Sequence, residues 1–416
     1  INSNDGGGNV TQDGGSTWTE QDFATAQFYH VSTDNNFPYR ILGAQQDNST
    51  VRIFSRTNSG GIDRDAWEST AGGESGYVAD KPNDPDIVFG GSYGGLLTMR
   101  NHRTNQRRSV NPWPDNPMGS GAIGSALRFQ WTFPIFFSQH DNDVLFTCSQ
   151  FVMRSLDMGG SWQKISPDLT KSDPATLQSS GGPITKDNTG VEYYATVFTL
   201  AESPVDKNIL WAGSDDGLVH ITRNGGESWK KITPPDMPEW GLCSMIEASL
   251  FRAGTAYLAL DNHENDDYAP YIYITHDYGA TWQKKVAGIG EEAFVRVVRE
   301  DPKRPGLLYA GTETGVYVSF DGGENWQPLM MNLPVVPIHD LALNDGDLIA
   351  ATHGRSFWVL DDLSPLHEMH TARTDRPFFY TPRDAYIVRW GGGFRRSGGD
   401  AGPAAPNPGS GVLLSY

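Results

Sequence analysis

One eight-residue pattern recurs five times in this chain and constrains its fold more than any other feature. Each copy has Ser or Thr, then Asp or Asn two residues later, Gly two residues further, and a small polar residue followed by Trp. Asp side chains cap turns by accepting backbone N–H bonds, and Gly adopts positive φ without steric cost. The pattern therefore predicts five β-hairpin turns. The copies span residues 11–18, 155–162, 222–229, 275–282 and 319–326.

Apolar, alternating stretches precede these octapeptides, as in residues 209–214 and 307–312. Related units without the octapeptide occupy residues 40–54, 87–98 and 348–361. The period is about 40–65 residues with four strands per unit, which is typical of a β-propeller blade. Seven first strands are predicted, starting near residues 28, 76, 132, 195, 244, 294 and 338. We therefore predict an all-β, seven-bladed β-propeller of four-stranded antiparallel blades, with eight blades as the alternative.

The two ends of the chain differ from the repeats. Residues 1–22 hold part of a blade without its first strand, so they either close the ring or end a preceding propeller. Residues 23–365 form the predicted propeller. Residues 366–416 are rich in Gly and Pro and read as a linker to a C-terminal β domain, whose first strand is residues 411–416. Residue 1 is not Met, and we expect the chain to be a fragment of a longer protein.

The composition excludes several classes of partner. The chain has 50 acidic and 32 basic residues, a formal net charge of −18, which repels nucleic acid and anionic lipid. Its apolar runs are shorter than the ~20 residues that a membrane helix needs. Cys148 and Cys243 are expected to be buried, and neither a cofactor nor a metal is expected. The acidic run 262–267 lacks the Gly and spacing of a calcium loop and predicts a solvated loop.

The five octapeptides resemble the Asp-box, or BNR, repeats of sialidases, sortilin-type receptors and family-74 xyloglucanases. Runs 181–190, 211–217 and 352–358 are similar to secreted bacterial proteins labelled BNR-repeat glycosyl hydrolase or sortilin-like. The resemblance implies an extracellular or periplasmic propeller, but these repeats serve enzymes, receptors and assembly factors alike. The sialidase motif Phe/Tyr-Arg-Ile-Pro is incomplete in Tyr39-Arg40-Ile41-Leu42 and lies on a second strand. Family-74 enzymes place their acid and base between two propellers.

The alternation of strands predicts which rim carries function. The octapeptides join third to fourth strands at one rim, so loops between second and third strands, and between blades, meet at the opposite rim. Carboxylates there could act as general acid and base, or could cap loop turns. The catalytic candidates are Asp47, Asp215, Asp216 and Glu192. The ligand-binding candidates are Gln46, Tyr93, Tyr193, Trp240, Glu313, His353 and Arg355.

The candidate residues suggest two kinds of contact, each with a structural alternative. His353 beside Arg355 suits an anionic group, or the pair bonds to loop carbonyls. Trp113, Trp131, Trp240 and Tyr193 offer flat faces for sugar rings or peptide side chains, or pack between blades. The Trp residues of the octapeptides are expected to pack between blades.

The chain has many repeats but no recognisable set of catalytic residues. This combination favours a secreted binding or scaffold module over an enzyme. We expect it to hold a protein, peptide or glycan on the loop-rich rim, within a larger protein or assembly. A second propeller and a C-terminal β domain of the same parent chain are further expected partners. The alternative is a glycoside hydrolase that acts on a β-glucan in a cleft between two propellers.

Overall fold

The computed structural model describes residues 1–4, 7–19, 25–116, 119–188, 193–369, 377–385 and 404–416. Seven antiparallel sheets follow one another along the chain. Each blade packs against the next, and the first strand of the seventh blade packs against the first strand of the first blade, which closes a ring. The predicted seven-bladed β-propeller is confirmed.

The first three blades occupy residues 32–164. Blade 1 contains β3 (Ser32–Thr33), β4 (Arg40–Ala44), β5 (Thr50–Phe54) and β6 (Trp67–Ser69). Blade 2 contains β7 (Val78–Lys81), β8 (Asp84–Ser92), β9 (Leu96–Asn101) and β10 (Gln106–Ser109). Blade 3 contains β11 (Ile135–Phe137), β12 (Leu145–Cys148), β13 (Val152–Ser155) and β14 (Gln163–Lys164).

The next three blades are the most regular. Blade 4 contains β17 (Val197–Glu202), β18 (Leu210–Ser214), β19 (Val219–Thr222) and β20 (Lys230–Lys231). Blade 5 contains β21 (Leu242–Ala248), β22 (Ala256–Asp261), β23 (Tyr271–Thr275) and β24 (Gln283–Lys284). Blade 6 contains β25 (Val295–Glu300), β26 (Leu308–Thr312), β27 (Gly315–Ser319) and β28 (Gln327–Pro328).

Blade 7 has three strands within the described residues, whereas the other six have four. It contains β29 (Ile338–Asn344), β30 (Asp347–Thr352) and β31 (Phe357–Leu360). After β31 the chain enters the short helix α1 (Ser364–Glu368), which has Pro in its first turn. A proline cannot donate a ladder hydrogen bond, so this sequence favours a helix start over a fourth strand.

Short elements complete the description. Two hairpins lie outside the blades: β1 (Asn2–Asn4) with β2 (Gly7–Asn9), and β15 (Ser180–Gly181) with β16 (Lys186–Asp187). Single 3₁₀ turns are Arg64–Ala66, Tyr93–Gly95, Ala122–Gly124 and His263–Asn265.

The octapeptides form the predicted turns, and blade 5 shows their chemistry. One Asp277 carboxylate oxygen accepts the backbone N–H of Thr281 at 2.8 Å and the Thr275 hydroxyl at 2.9 Å. The other carboxylate oxygen accepts the Thr281 hydroxyl at 2.7 Å. The Thr275 hydroxyl oxygen accepts the N–H of Gly279, which has a φ of 75°. The turn therefore satisfies its own donors, and the positive φ requires Gly.

The octapeptide tryptophans join neighbouring blades. The indole N–H of four of them donates to a backbone carbonyl oxygen just after the last strand of the preceding blade: Trp162 to Val110, Trp229 to Ile165, Trp282 to Ile232 and Trp326 to Lys285, at 2.7–3.0 Å. The predicted packing between blades is thus correct for these four. Trp18 differs because its side chain is 48 % exposed.

Glycine in the second strands permits close blade packing. A Cβ atom on Gly213 of β18 would lie 2.6 Å from the Cβ atom of Cys243 in blade 5. A Cβ atom on Gly311 of β26 would lie 2.7 Å from Ile338 in blade 7. Real Cβ atoms do not approach so closely, so this position of the strand excludes larger residues.

Residues 26–31 make the closing contacts between blades 7 and 1. The carbonyl oxygen of Ala26 accepts the N–H groups of Gly354 and Ser356, and Phe28 stacks on Phe357 with ring centroids 3.8 Å apart. The carboxylate of Asp340 accepts the backbone N–H of Val31 at 3.2 Å. The ring is closed by this segment and by the first strand of blade 7.

The described ends of the chain lie in different settings. β1 pairs with β2 in a two-stranded sheet of its own. Near the other end, Ala405 pairs with Ile62 of blade 1, and Arg383 bonds to Asp347 of blade 7 at 2.6 Å. The domain boundaries at residues 22 and 365 stay predictions.

Candidate functional site

A cavity of about 460 Å³ opens at the rim opposite the octapeptide turns. Its lining comes from the first strands, from the segments that enter them, and from loops between second and third strands. Six of the seven blades contribute. The lining residues are Tyr29, His30, Gln46, Gln130, Trp131, Thr132, Tyr193, Tyr194, Phe198, Asp215, Leu242, Ser244, Asp261, His263, Glu264, Arg296 and His339. Because first strands surround the axis of a propeller, this cavity is the mouth of the central channel.

Four of these residues occupy equivalent β-bulges in blades 4 to 7. In each blade the first strand has one residue more than its partner strand at this point. The extra residues are Phe198, Ser244, Arg296 and His339. A bulge frees a residue from the ladder and redirects its side chain. The local sequences place an apolar, a hydroxyl, a cationic and an imidazole side chain at the same position around the channel.

Four nitrogen atoms at this site are buried without a hydrogen-bond partner among the described residues. They are Nε1 of Trp131, Nε of Arg296 and Nε2 of His339 and His353. The rings of His339 and His353 lie with their centroids 3.9 Å apart. Buried polar groups are usually paired, because an unpaired one costs about 1–3 kcal/mol. Three of the four, on Trp131, Arg296 and His339, belong to residues that line the cavity, and His353 lies beside His339.

The charge of Arg296 is balanced by two carboxylates. Its guanidinium lies 2.7 Å from Glu313 and 3.5 Å from Asp261. Asp261 also accepts a hydrogen bond from His263 at 2.6 Å, and this bond raises the pKa of His263. Arg296 therefore presents a buried N–H without an unbalanced positive charge.

The two neighbouring imidazoles are held neutral. Burial lowers the pKa of His353 to about 4, and the charge of Arg296 adds to the effect. Burial also lowers the pKa of His339 well below its usual range, with Arg296 as the next cause. At neutral pH each ring therefore has one N–H donor and one nitrogen acceptor.

An aromatic wall stands beside these nitrogens. Trp131 stacks on Tyr93 with ring centroids 5.6 Å apart and an angle of 19° between their planes. Tyr29 meets Trp131 edge to face, with centroids 6.4 Å apart. Tyr93 thus packs against Trp131, which lines the cavity.

The candidate carboxylates are placed differently from one another. Asp215 lines the cavity, but its carboxylate accepts the N–H of Thr196 at 2.8 Å and the Thr196 hydroxyl at 2.7 Å. Asp216 accepts the Ser214 hydroxyl at 2.6 Å and the N–H of Lys171 at 2.7 Å. Burial raises the pKa of both carboxyl groups. These contacts match the turn-capping alternative.

The other two carboxylate candidates lie outside this arrangement. Asp47 is exposed and away from the described lining, and its backbone N–H donates to Glu74 at 3.1 Å. Glu192 lies outside the described residues. The structure therefore brings one of the four candidates, Asp215, to the cavity.

Five of the seven ligand-binding candidates lie at or beside the cavity. Gln46 and Tyr193 are in its lining, and the Tyr193 hydroxyl donates to the carbonyl oxygen of Ser120 at 2.6 Å. The other three contact a lining residue. Glu313 forms an ion pair with Arg296, the ring of His353 lies against His339, and the ring of Tyr93 stacks on Trp131.

Two ligand-binding candidates lie elsewhere. Trp240 has a φ of 65° and packs under the ammonium group of Lys171, which lies 3.5 Å from its ring centroid. Arg355 is exposed on the loop after β30.

Three lining residues, Arg296, His339 and His263, are not among the residues predicted for the site. Arg296 and His339 lie inside first strands, whereas His263 follows β22 in a loop of the predicted functional rim. A signal was present, because a polar residue sits between apolar ones at the same position in Val295-Arg296-Val297 and Cys243-Ser244-Met245. Such a residue in an innermost strand indicates a side chain directed into the channel.

The described residues show no cluster of three or more metal-ligating side chains. In the acidic run 262–267, His263 and Glu264 line the cavity, whereas the Asp267 carboxylate accepts hydrogen bonds from Asn262 and Tyr271. Within the same part of the chain, no helix is long and apolar enough to cross a membrane. Cys148 and Cys243 are both buried, as predicted.

Comparisons with known proteins identify the repeat and the fold. The model of the BNR/Asp-box repeat matches residues 317–328, which include the whole fifth octapeptide. A comparison with curated protein sequences finds no match. The GH74 xyloglucanase from Xanthomonas campestris has a TM-score of 0.56 and 16 % identity, over 82 % of this chain and 52 % of that chain. The present chain thus spans about half the length of the xyloglucanase.

Other solved propellers are similar over most of their length. YCF48 from Cyanidioschyzon merolae has a TM-score of 0.52 and 10 % identity, over 80 % of this chain and 94 % of that chain. YCF48 bound to D1 peptide has a TM-score of 0.52 and 11 % identity, over 82 % and 94 %. At such identities the likeness concerns the fold. The chain is a seven-bladed β-propeller that carries BNR/Asp-box repeats.

Proposed function

We propose that this chain is the binding module of a larger extracellular or periplasmic protein or assembly, and that it holds a glycan, peptide or protein segment at the mouth of its central channel. The observation that carries the proposal is a set of buried nitrogens that have no hydrogen-bond partner among the described residues. Those of Trp131, Arg296 and His339 belong to residues of the cavity lining, and that of His353 belongs to the ring beside His339. A ligand that supplies hydrogen-bonding atoms removes the cost of leaving these groups unpaired.

The contacts of Asp215, Asp216 and Asp261 support binding over catalysis. Both oxygens of Asp215 are engaged by Thr196, and Asp216 is engaged by Ser214 and by backbone N–H groups. A general acid or base needs a carboxyl group that reaches the substrate. Asp261, the remaining buried carboxylate of the lining, is shared by His263 and Arg296.

A binding screen with matched tryptophan variants tests the proposal. The protein is screened against peptide and oligosaccharide arrays, and hits are measured by calorimetry for the wild type, Trp131→Ala and Trp113→Ala. Trp113 is a suitable control because it is 45 % exposed and lies outside the lining. We expect Trp131→Ala to weaken binding by about tenfold or more, as expected for loss of a buried aromatic contact. Equal binding by all three proteins would contradict a site in the channel.

The competing function is glycoside hydrolysis in a cleft shared with a second propeller. This chain covers 52 % of the length of the xyloglucanase, and this difference in length is the observation in favour of the hydrolase alternative. The full-length parent protein is incubated with β-glucans, and reducing ends are measured for the wild type, Asp215→Asn and Asp47→Asn. Sugar release that either substitution abolishes, without loss of folding, would overturn the binding-module proposal.

A further inference from the structure

We infer that the channel site selects an uncharged saccharide and that Glu313 sets this preference for neutral over acidic ligands. The inference rests on the proposed binding function and specifies its ligand. It follows from the charge balance of the cavity, from the tautomeric chemistry of its imidazoles and from the composition of its wall.

The charge balance leaves no attraction for an anion. The guanidinium of Arg296 is already paired with Glu313 at 2.7 Å and with Asp261 at 3.5 Å. Glu264 adds another carboxylate to the lining. An acidic group brought to Arg296 would meet these like charges at close range, which disfavours it. The Nε–H of Arg296 has no hydrogen-bond partner among the described residues, and an uncharged oxygen would pair with it without adding a like charge.

The imidazoles suit hydroxyl groups. His339 and His353 are held neutral, so each offers one donor and one acceptor nitrogen. A hydroxyl group also donates one hydrogen bond and accepts others. A saccharide carries hydroxyls at neighbouring positions, so it can satisfy the imidazoles and the Arg296 N–H together.

The wall favours a sugar ring over a peptide side chain. Leu242 is the one aliphatic side chain in the described lining, so the cavity lacks an aliphatic pocket for a peptide anchor. The Trp131 ring, stacked on Tyr93, instead gives a flat apolar surface beside the polar nitrogens. A pyranose ring combines an apolar C–H face with polar edges, which matches this arrangement. The volume of about 460 Å³ is in the range of small-ligand sites.

Glu313 is suited to test the charge argument. Its side chain is 35 % exposed, and its described ion-pair partner is Arg296. Glu313→Gln keeps an oxygen acceptor for Arg296 but removes one negative charge. Glu324→Gln is the matched control, because Glu324 pairs with Lys285 at 2.7 Å on the side of the octapeptide turns.

The experiment compares binding of neutral oligosaccharides and of the corresponding uronic-acid oligosaccharides at neutral pH. We expect the wild type and Glu324→Gln to bind the neutral series and to bind the acidic series at least about tenfold more weakly, the scale of one unpaired like-charge contact. We expect Glu313→Gln to lower the ratio of neutral to acidic affinity by about tenfold, through stronger binding of the acidic series.

Each outcome has a distinct meaning. Acidic binding by the wild type that equals neutral binding would overturn the inference, as would an acidic series unaffected by Glu313→Gln. Peptide binding that depends on Trp131, without saccharide binding, would overturn the inference and leave the proposed function standing. Absence of any ligand that depends on Trp131 would overturn both.

Discussion

Replacement of Asp277 in the blade 5 turn tests how the repeats hold the propeller together. Asp277→Ala removes three hydrogen-bond acceptor contacts, at 2.7, 2.8 and 2.9 Å. The turn is exposed, so water replaces part of the loss, and the nearest measured analogue is removal of a helix cap. We therefore expect the free energy of unfolding to fall by about 1 kcal/mol.

Blade 4 supplies a natural control for this substitution. There Asn224 takes the place of Asp and makes the same contacts: its carbonyl oxygen accepts from Thr222 and Ser228, and its amide donates to the Ser228 hydroxyl. Asp277→Asn should therefore be close to neutral at pH 7. Both variants are measured by urea unfolding. Equal destabilisation by Asn and Ala would refute the reasoning, because it would show that charge rather than hydrogen-bond geometry stabilises the turn.

The pH dependence gives the same variant a second readout. The backbone N–H of Thr281 is the largest cause of a lowered Asp277 pKa in the folded protein. A lowered folded pKa means that the stabilisation is present above the unfolded pKa of about 3.9 and is lost as pH falls through the folded pKa. Asp277→Asn should remove this part of the acid sensitivity. An unchanged acid-unfolding profile would contradict a role for ionised Asp277.

Three further predictions follow from burial and hydrogen bonding. Trp229→Phe removes the 2.8 Å hydrogen bond from the indole to blade 3 and should lower the free energy of unfolding by about 1 kcal/mol. Trp18→Phe is the control and should leave the free energy of unfolding unchanged. Equal urea midpoints for the two variants would contradict a stabilising role for the indole hydrogen bond. Burial raises the pKa of Cys148 and Cys243, so iodoacetamide at pH 8 should label them after unfolding and not before, as read by mass spectrometry; labelling of the folded protein would refute this. Burial lowers the pKa of His353 to about 4, so its imidazole should stay neutral from pH 8 to 5 and become protonated near pH 4; a titration midpoint near pH 6.5 for His353 in NMR would refute this.

Sequence alone predicted the framework because its determinants are local. The octapeptide contains its own acceptor, its own hydroxyl and its own glycine, so the turn is specified within eight residues. The second strands are equally readable, since Gly213 and Gly311 recur where the next blade packs closely. Seven units of this kind are enough to predict the ring.

The site was predicted less completely because its determinants are not local. A β-bulge arises from a mismatch between two paired strands, so the bulges at Arg296 and His339 cannot be predicted from either strand alone, although a polar residue between apolar ones is visible in the sequence around Arg296. For Asp215 and Asp216 the sequence leaves two interpretations open, reactive carboxylates or turn caps. Nearby hydroxyl and N–H groups engage their oxygens, which matches the second interpretation. Loop acids in this fold stabilise turns as readily as they contact a ligand.

The arrangement of bulges explains how this propeller can vary its chemistry without altering its framework. Phe198, Ser244, Arg296 and His339 share one backbone position in four blades, yet their side chains differ completely. The residues on either side of each bulge rejoin the ladder, so the blade's pairing does not depend on what the bulge residue carries. The stabilising octapeptide turns, and the tryptophans that bond to the preceding blade, lie at the other ends of the strands. Substitutions at a bulge position without an ion pair, such as Phe198, should therefore change ligand preference with less effect on stability than substitutions in the turns, whereas loss of Arg296 would leave the buried Asp261 carboxylate without this partner.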